Sequence, residues 1–350
     1  MKTRLGLTLA GIGDRLPASG SRYFVCALVV LIAAFSGCGG GDHEAAKANG
    51  FRIAVIPKGA THEHWKRVRA GAEKAAAEFS ARGVPVEVIW KAPIREDDRE
   101  QQVQVVEGFT SQRVSGIVLA PLDSHALMRP VEEAADAGIP TVIFDSALAD
   151  PARAVSYVST DNGKGGRLAA RRMAELLGGK GTVLMLRYQE GSAATEERER
   201  GFTEELKSVA PGITLLPSDQ YAGATRDTAK RTSENLLNRF ADTVNGIFTP
   251  NESSTAGMLL ALQDIGKAGA ITFVGFDYSS SFIEPLKKGE LKGFTVQNPV
   301  NMGYLSVKTM VEHLQGKQVP KTVDTGVEIV TLDNLETPAV QAIINPPGVK

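Results

Sequence analysis

The sequence predicts an α/β protein of two doubly wound parallel-sheet domains, and three observations carry the prediction. Short runs rich in Val and Ile, "RIAVI", "VEVIW", "GIVLA" and "PTVIF", alternate with amphipathic stretches such as "EHWKRVRAGAEKAAAEF" and "DDREQQVQVVEGFTSQ". The apolar runs are almost uninterrupted, as in parallel sheets covered on both faces, and the intervals between them suit crossover helices. The same rhythm restarts after a break at "LADPARA" near the middle of the chain. Some ten βα units result, more than one sheet of ordinary size needs.

Residues 1–22 precede the fold and carry Lys2, Arg4, Arg15 and Arg22 against the single acid Asp14; "YFVCALVVLIAAFSGC" then runs uncharged from Tyr23 to Cys38. A basic segment followed by a short apolar one reads as a secretory signal over residues 1–37, too short to span a bilayer comfortably. Its end, "FSGC", resembles the lipobox of bacterial lipoproteins, with Phe35 where that pattern usually has Leu. The resemblance implies that Cys38 is lipidated and becomes the mature N-terminus, which anchors the protein to a membrane. Removing residues 1–37, which carry a net charge of +3, leaves 313 residues with a formal charge near −4. That mild acidity argues against a nucleic-acid partner. Cys26 leaves with the signal, so no disulfide is available and the chain relies on its own core. "GGGDHEAAKANG" reads as a flexible tether, residues 38–50 with the cysteine.

In the first half, "FRIAVI" ends at Pro57 and Lys58 and opens into a loop carrying His62, His64 and Trp65, after which the helix and strand runs follow in turn to "PTVIF". The second half reads "AVSYVS", a helix from about Gly163, "GTVLML", a helix through Arg198, "GITLL", a helix ending near Phe240, "GIFT", a helix through Leu262, "ITFVGF" and "GFTV". Open α/β sheets bind ligands beyond the carboxyl ends of their strands. The residues found there are Lys58, Pro121 and Asp123, Asp145, Gln189 with the helix bearing Arg198, Asn251, Asp277 and Gln297.

Each has a plain structural explanation: Asp145, Asp277 and Asn251 are types that cap helices, for about 1 kcal/mol each, and Arg198 lies in the charge-rich "EERERGF". Caps do not account for an Arg, a Gln and a Lys at equivalent strand ends, so the set points to a polar ligand. A sugar hydroxyl both donates and accepts, so carboxylates can accept from it while Arg198, Asn251 and Gln297 donate. Trp65 could cover an apolar sugar face or simply belong to the core.

Catalytic alternatives lack their motifs. The histidines of "THEHW" are two apart, not four as in a helical zinc pair; "GGKGT" precedes a strand; "DNGKGGR" has no Gly-Lys-Ser/Thr ending; and no Gly-x-Ser-x-Gly elbow occurs. No enzyme, metal site or cofactor is expected.

Taken together, "IAVIPKG…HW", "GIVLAPLD", "AGIPTVIFDS", "VSTDNGKGGRLAA", "GSAATEERERGF", "GIFTPNESSTAGMLLAL", "VGFD" and "VQNPVNMGYLSVKTM" resemble the periplasmic substrate-binding proteins of ABC importers. The match is to the ribose- and galactose-binding branch of the type I fold, over roughly Phe51 to Leu335. The resemblance implies ligand contacts at Lys58, His62, His64, Trp65, Asp145, Ser146, Arg198, Asn251, Asp277 and Gln297. Asp145, Arg198, Asn251, Asp277 and Gln297 keep the residue type of ribose-type proteins. Lys58, His62, His64 and Ser146 depart from it, and Ala224 stands where an aromatic contact is common. The resemblance also implies a monomer that captures a small solute, docks on an ABC permease and closes about three crossing segments near residues 159–162, 297–299 and 325–327. The domains would be 51–160 plus 298–325 and 161–297 plus 326–345.

Lys58 would either pair with an aspartate or receive an acidic sugar or phosphate, the pairing being favoured because an unpaired buried lysine is costly. "IPK" also resembles furanosyl autoinducer-binding proteins of the same fold, a second reading, alongside a sensor docking on a membrane receptor. Sugar-responsive repressors share the fold but begin with a helix-turn-helix where this chain has an export signal.

Overall fold

The structure is a computed structural model that describes residues 50–217 and 219–347. The segments expected to be an export signal and, up to Gly50, a tether, with Cys38, lie outside the described residues. The elements in chain order are β1 (Phe51–Ile56), α1 (Glu63–Ala81), β2 (Val86–Trp90), α2 (Arg99–Ser111), β3 (Gly116–Leu119), α3 (Met128–Asp136), β4 (Thr141–Phe144), β5 (Ser156–Ser159), α4 (Asn162–Leu176), β6 (Lys180–Met185) and α5 (Ala193–Val209). They continue with β7 (Gly212–Leu215), α6 (Arg226–Phe240), β8 (Gly246–Phe248), α7 (Glu252–Asp264), β9 (Thr272–Phe276), α8 (Ile283–Lys288), β10 (Phe294–Gln297), α9 (Pro299–Leu314), β11 (Thr322–Asp324), β12 (Val327–Val330) and α10 (Pro338–Ile344). No helix among the described residues is long and apolar enough to cross a membrane.

The strands form two six-stranded sheets, ordered β11-β5-β4-β3-β1-β2 and β12-β10-β9-β8-β6-β7. Five strands of each sheet repeat one order, β2-β1-β3-β4-β5 and β7-β6-β8-β9-β10, with parallel pairing throughout. This is the α/β architecture that the apolar runs predict. The sixth strands are the departure. β11 lies parallel to β5, whereas β12 lies antiparallel to β10. The chain path explains the difference: β5, β10 and β11 all run toward the place where the chain changes sheet, while β12 runs away from it. Both sixth strands escape the sequence pattern because Thr322, Asp324 and Glu328 are exposed and break the apolar runs.

Each sheet is covered on both faces by buried apolar side chains. On the first sheet, Ile53, Val55, Val142, Phe144 and Val158 pack with α1 and α9, and Ala54, Ile56, Ile117 and Ile143 pack with α2 and α3. On the second, Val183, Phe248, Val274 and Phe276 meet α4 and α5, and Leu184, Ile247, Phe273 and Phe294 meet the cluster under α6, α7 and α10.

In both lobes the helix pair on one face approaches closely at two glycines. A Cβ on Gly71 would stand 1.9 Å from the Val300 carbonyl oxygen, and one on Gly303 1.9 Å from that of Val68. In the second lobe a Cβ on Gly166 would stand 2.0 Å from the Arg198 carbonyl oxygen, and one on Gly201 2.3 Å from that of Gly163. Backbone cannot yield as a side chain can, so Gly303→Ala forces α1 and α9 apart. We expect it to destabilise the protein by about 3 kcal/mol, since over-packing a tight core costs roughly 1–3 kcal/mol. Urea unfolding checks this, and an unchanged midpoint would refute the close packing.

Candidate functional site

The site begins where strands end. β1 lies between β2 and β3, and β6 between β7 and β8, so each sheet reverses its strand order at a strand whose carboxyl end borders the cleft. One cavity of about 30 Å³ lies between the lobes, lined from the first by Lys58, His62, His64, Trp65, Glu96 and Asp145, and from the second by Tyr188, Ala194, Thr195, Arg198, Asn251, Asp277 and Gln297. Nine of the ten residues singled out in the sequence meet there. Ser146 stands beside the cavity, and its Oγ accepts from the Ala194 backbone N–H across the lobes at 3.1 Å. Pro121, Asp123 and Ala224 do not line it. Asp123 instead accepts from the backbone of His125 and Ala126 and pairs with Arg99.

Asp145 and Asp277 follow β4 and β9, the fourth strands of the two sheets, and both adopt left-handed backbone conformations, φ 61° and 64°. Neither caps the helix that follows it in the chain, so the capping explanation fails for these two. It holds for Asn251, the N-cap of α7, whose side chain accepts from the Ser254 N–H. Left-handed φ is uncommon for non-glycine residues, though asparagine and aspartate are enriched there, and such backbone clusters at functional sites. The turn after Asp145 is held by Ser159 Oγ and Tyr157 OH, which donate to the Asp145 carbonyl at 2.7 and 3.3 Å.

The Asp145 carboxylate faces Lys58 Nζ at 3.2 Å and His64 Nε2 at 3.2 Å. Burial alone would raise its pKa; Lys58, His64 and Arg198 reverse this and hold it below the usual carboxylate range. Lys58 is therefore paired, and it also donates to Ser192 Oγ of the second lobe at 3.3 Å. His64 Nε2 stands close to the carboxylate without hydrogen-bond geometry to any partner among the described residues.

Arg198 is held through Nε, one terminal nitrogen and the face of its guanidinium. Nε donates to Asn162 Oδ1 at 2.8 Å, one terminal nitrogen donates to the Pro250 carbonyl at 3.0 Å and lies 3.6 Å from Asp277, and the guanidinium covers the Phe276 ring at 4.1 Å. Asp277 accepts from Gln297 Nε2 at 2.7 Å and from the first backbone N–H of α7 at 3.1 Å. Gln297 Oε1 has no partner among the described residues.

Glu96, Tyr188 and Thr195 are cavity residues that the sequence does not single out. Glu96 binds three side chains: one carboxylate oxygen accepts from Trp65 Nε1 at 2.5 Å and faces His62 Nδ1 at 2.9 Å, and the other accepts from Tyr188 OH at 2.9 Å. It stands in the loop after β2, within a charged run of the sequence, and it too lies beyond the carboxyl end of a strand. Trp65 packs edge-on against Phe144 in the core and also lines the cavity.

Burial disfavours the His62 imidazolium, and the Glu96 carboxylate outweighs that and raises its pKa to about 9, with Glu252 and Asp277 assisting. Burial likewise opposes the Glu96 carboxylate, and His62, Trp65 and Tyr188 lower its pKa. The site thus holds Lys58, His62 and Arg198 against Asp145, Glu96 and Asp277, with no net charge to offer a ligand.

Beyond the cavity the lobes touch directly. Glu63 accepts from Ser279 and Ser280, and Arg67 donates to the carbonyls of Ile343 and Ile344 and covers the Tyr278 ring. A volume of about 30 Å³ is roughly one water's share of liquid, far below the roughly 300–1,000 Å³ of ligand pockets. A ligand enters such a site only when the lobes part.

Residues 53–318 match the sequence profile of a family described as periplasmic binding protein domain. The ribose import binding protein of Bacillus subtilis is 30% identical over 281 residues, 80% of this chain and 87% of that protein. The D-allose-binding periplasmic protein of Escherichia coli is 28% identical, over 81% of this chain and 90% of that one. Among solved structures, an ABC transporter solute-binding protein of Agrobacterium vitis with bound D-fucose aligns at a TM-score of 0.79 and 32% identity, covering 84% of this chain and 99% of that chain. A carbohydrate transporter solute-binding protein of Agrobacterium radiobacter in complex with D-arabinose aligns at 0.78 and 30% identity, covering 85% and 99%.

Proposed function

The chain belongs to the periplasmic binding protein domain family, and from that premise we propose that it captures a neutral monosaccharide or polyol between its lobes and delivers it to an ABC importer. One observation carries this reading above the others. Three buried side-chain atoms among the described residues lack a hydrogen-bond partner, and two of them, His64 Nε2 and Gln297 Oε1, line the cavity. Buried polar groups are almost always partnered; His64 Nε2 has the Asp145 carboxylate at 3.2 Å, whereas Gln297 Oε1 has no partner among the described residues and calls for a ligand that donates. Sugar hydroxyls do so. The internal pairing of all six charges favours a neutral solute over a sugar acid or phosphate, and the sugars named with the relatives, ribose, allose, fucose and arabinose, are neutral.

In this reading Lys58, His62, His64, Trp65, Asp145, Arg198, Asn251, Asp277 and Gln297 contact the solute, with Ser146 supporting the closed form from beside it. The lobes hinge at 159–162, 297–299 and 325–327, between a first domain of 51–160 plus 298–325 and a second of 161–297 plus 326–345. Because the solute contacts both lobes, it stabilises the closed state selectively, and the permease reads closure. Lipidated Cys38 and the tether hold a monomer at the membrane surface outside the cytoplasm.

A thermal-shift screen of residues 39–350 against pentoses, hexoses, polyols, sugar acids, sugar phosphates and furanosyl autoinducers tests the reading. A ligand at about a hundredfold over its Kd adds roughly 2.7 kcal/mol, which appears as a rise of several degrees. A neutral sugar or polyol is expected to give that rise. A response confined to acids and phosphates, or to an autoinducer, would overturn the neutral-solute assignment.

A further inference from the structure

The two sheets share a strand order but not a covering. β9 and β10 are joined through α8, and α10 follows β12; Leu286 of α8 with Val340 and Ile344 of α10 fill the space over Phe273 and Phe294 in one buried cluster. The first lobe has neither helix. β4 and β5 are joined by residues 145–155 without one, and β11 leads straight on to β12. Over the equivalent strands, on the face carrying Ile143 and Tyr157, there remains a cavity of about 430 Å³. Its walls are mostly apolar, with Leu148, Pro151 and Ala154 from the covering loop, and Lys321 completes the lining. Lys321 is exposed and has no ion-pair partner among the described residues. The volume falls within the range of small-molecule pockets, and a mostly apolar lining with one convergent charge is their usual composition.

We propose that this cavity is a second binding site, separate from the cleft, for a small monocarboxylate with a compact apolar body, an aryl or branched-alkyl acid whose carboxylate meets Lys321. The apolar body takes the place that the α8 and α10 side chains occupy in the other lobe. Tyr157, on the cavity floor, also donates to the Asp145 carbonyl, so the occupant lies one side chain away from the cleft wall.

Ligand-observed NMR with benzoate as the probe, on residues 39–350, tests the site. Benzoate should bind saturably in the millimolar range or better, and benzyl alcohol should bind about tenfold more weakly. Lys321→Gln should weaken benzoate to a similar degree. Ala152→Trp, placed at an exposed position in the lining, should abolish it while leaving the thermal midpoint in place. Arg198→Ala should not change it, which separates this site from the cleft whatever solute the cleft takes. No saturable binding, equal binding of the alcohol, binding that survives both Ala152→Trp and Lys321→Gln, or binding lost with Arg198→Ala would each overturn the proposal.

Discussion

Arg198→Ala will lower affinity for the captured solute by at least about a hundredfold and leave both lobes folded. Its guanidinium is held by Asn162, Pro250, Asp277 and the Phe276 ring, so no freedom is lost when it binds a ligand oxygen. A hydrogen bond to a charged group contributes about 1.5–3 kcal/mol, and two of them from one planar fork account for the hundredfold. The fold survives because Asp277, the carboxylate left behind, keeps its bonds from Gln297 and from the α7 backbone. Titration calorimetry with the solute found in the screen decides the matter. Affinity within tenfold of the wild type would remove Arg198 from the site. Arg198→Lys should recover only part of the loss, since an ammonium keeps the charge without the fork.

Alkaline pH will weaken the protein through His62. The imidazole is raised from the ordinary 6.5 to about 9 in the folded state, so its pairing with Glu96 contributes fully below pH 6.5 and is lost as the pH climbs through about 9. The amount at stake is on the order of 3 kcal/mol. The partner acts at the other end of the scale. Glu96 is lowered from its ordinary value, so its share is present above about pH 4.5 and is lost as the pH falls through the depressed value. Thermal midpoints measured from pH 6 to 10 should fall across the upper half of that range. Glu96→Gln should start lower and lose that slope, because His62 then titrates near or below its ordinary value. A wild-type midpoint flat to pH 10 would show that the pair does not hold the folded state together.

How much was legible in advance depended on whether a residue's neighbours lie in one strand or in several. The eight inner strands announce themselves because burial on both faces demands uninterrupted apolar residues, and "GIVL" and "TVIF" are buried at every position; β2 and β7, on the other edges, are partly exposed but keep apolar runs long enough to read. β11 and β12 are edge strands with exposed alternate residues, and three or four such residues carry no period. Asp145 and Asp277 were visible as strand-end acids, but their left-handed backbone was not, since aspartate is common at strand ends in ordinary conformations as well. Glu96 lay in a charged run that reads as solvated surface; its burial is created by His62 and Trp65 from the segment after β1 and by Tyr188 from the second lobe. That Lys58 pairs with an aspartate followed from the cost of burying an ammonium alone, whereas the choice of Asp145 over Asp277 depends on the geometry of the cleft.

The three passages of the chain between the sheets set a clock on folding. The first sheet takes its sixth strand, and α9 on one of its faces, from residues 299–324, after nearly the whole second sheet has been made. A nascent chain ending near residue 290 therefore has neither core complete: α1 lacks the partner for Gly71, and β10 is not yet in place. Pairing over some 160 residues is slow because the loop must close before the contacts reward it.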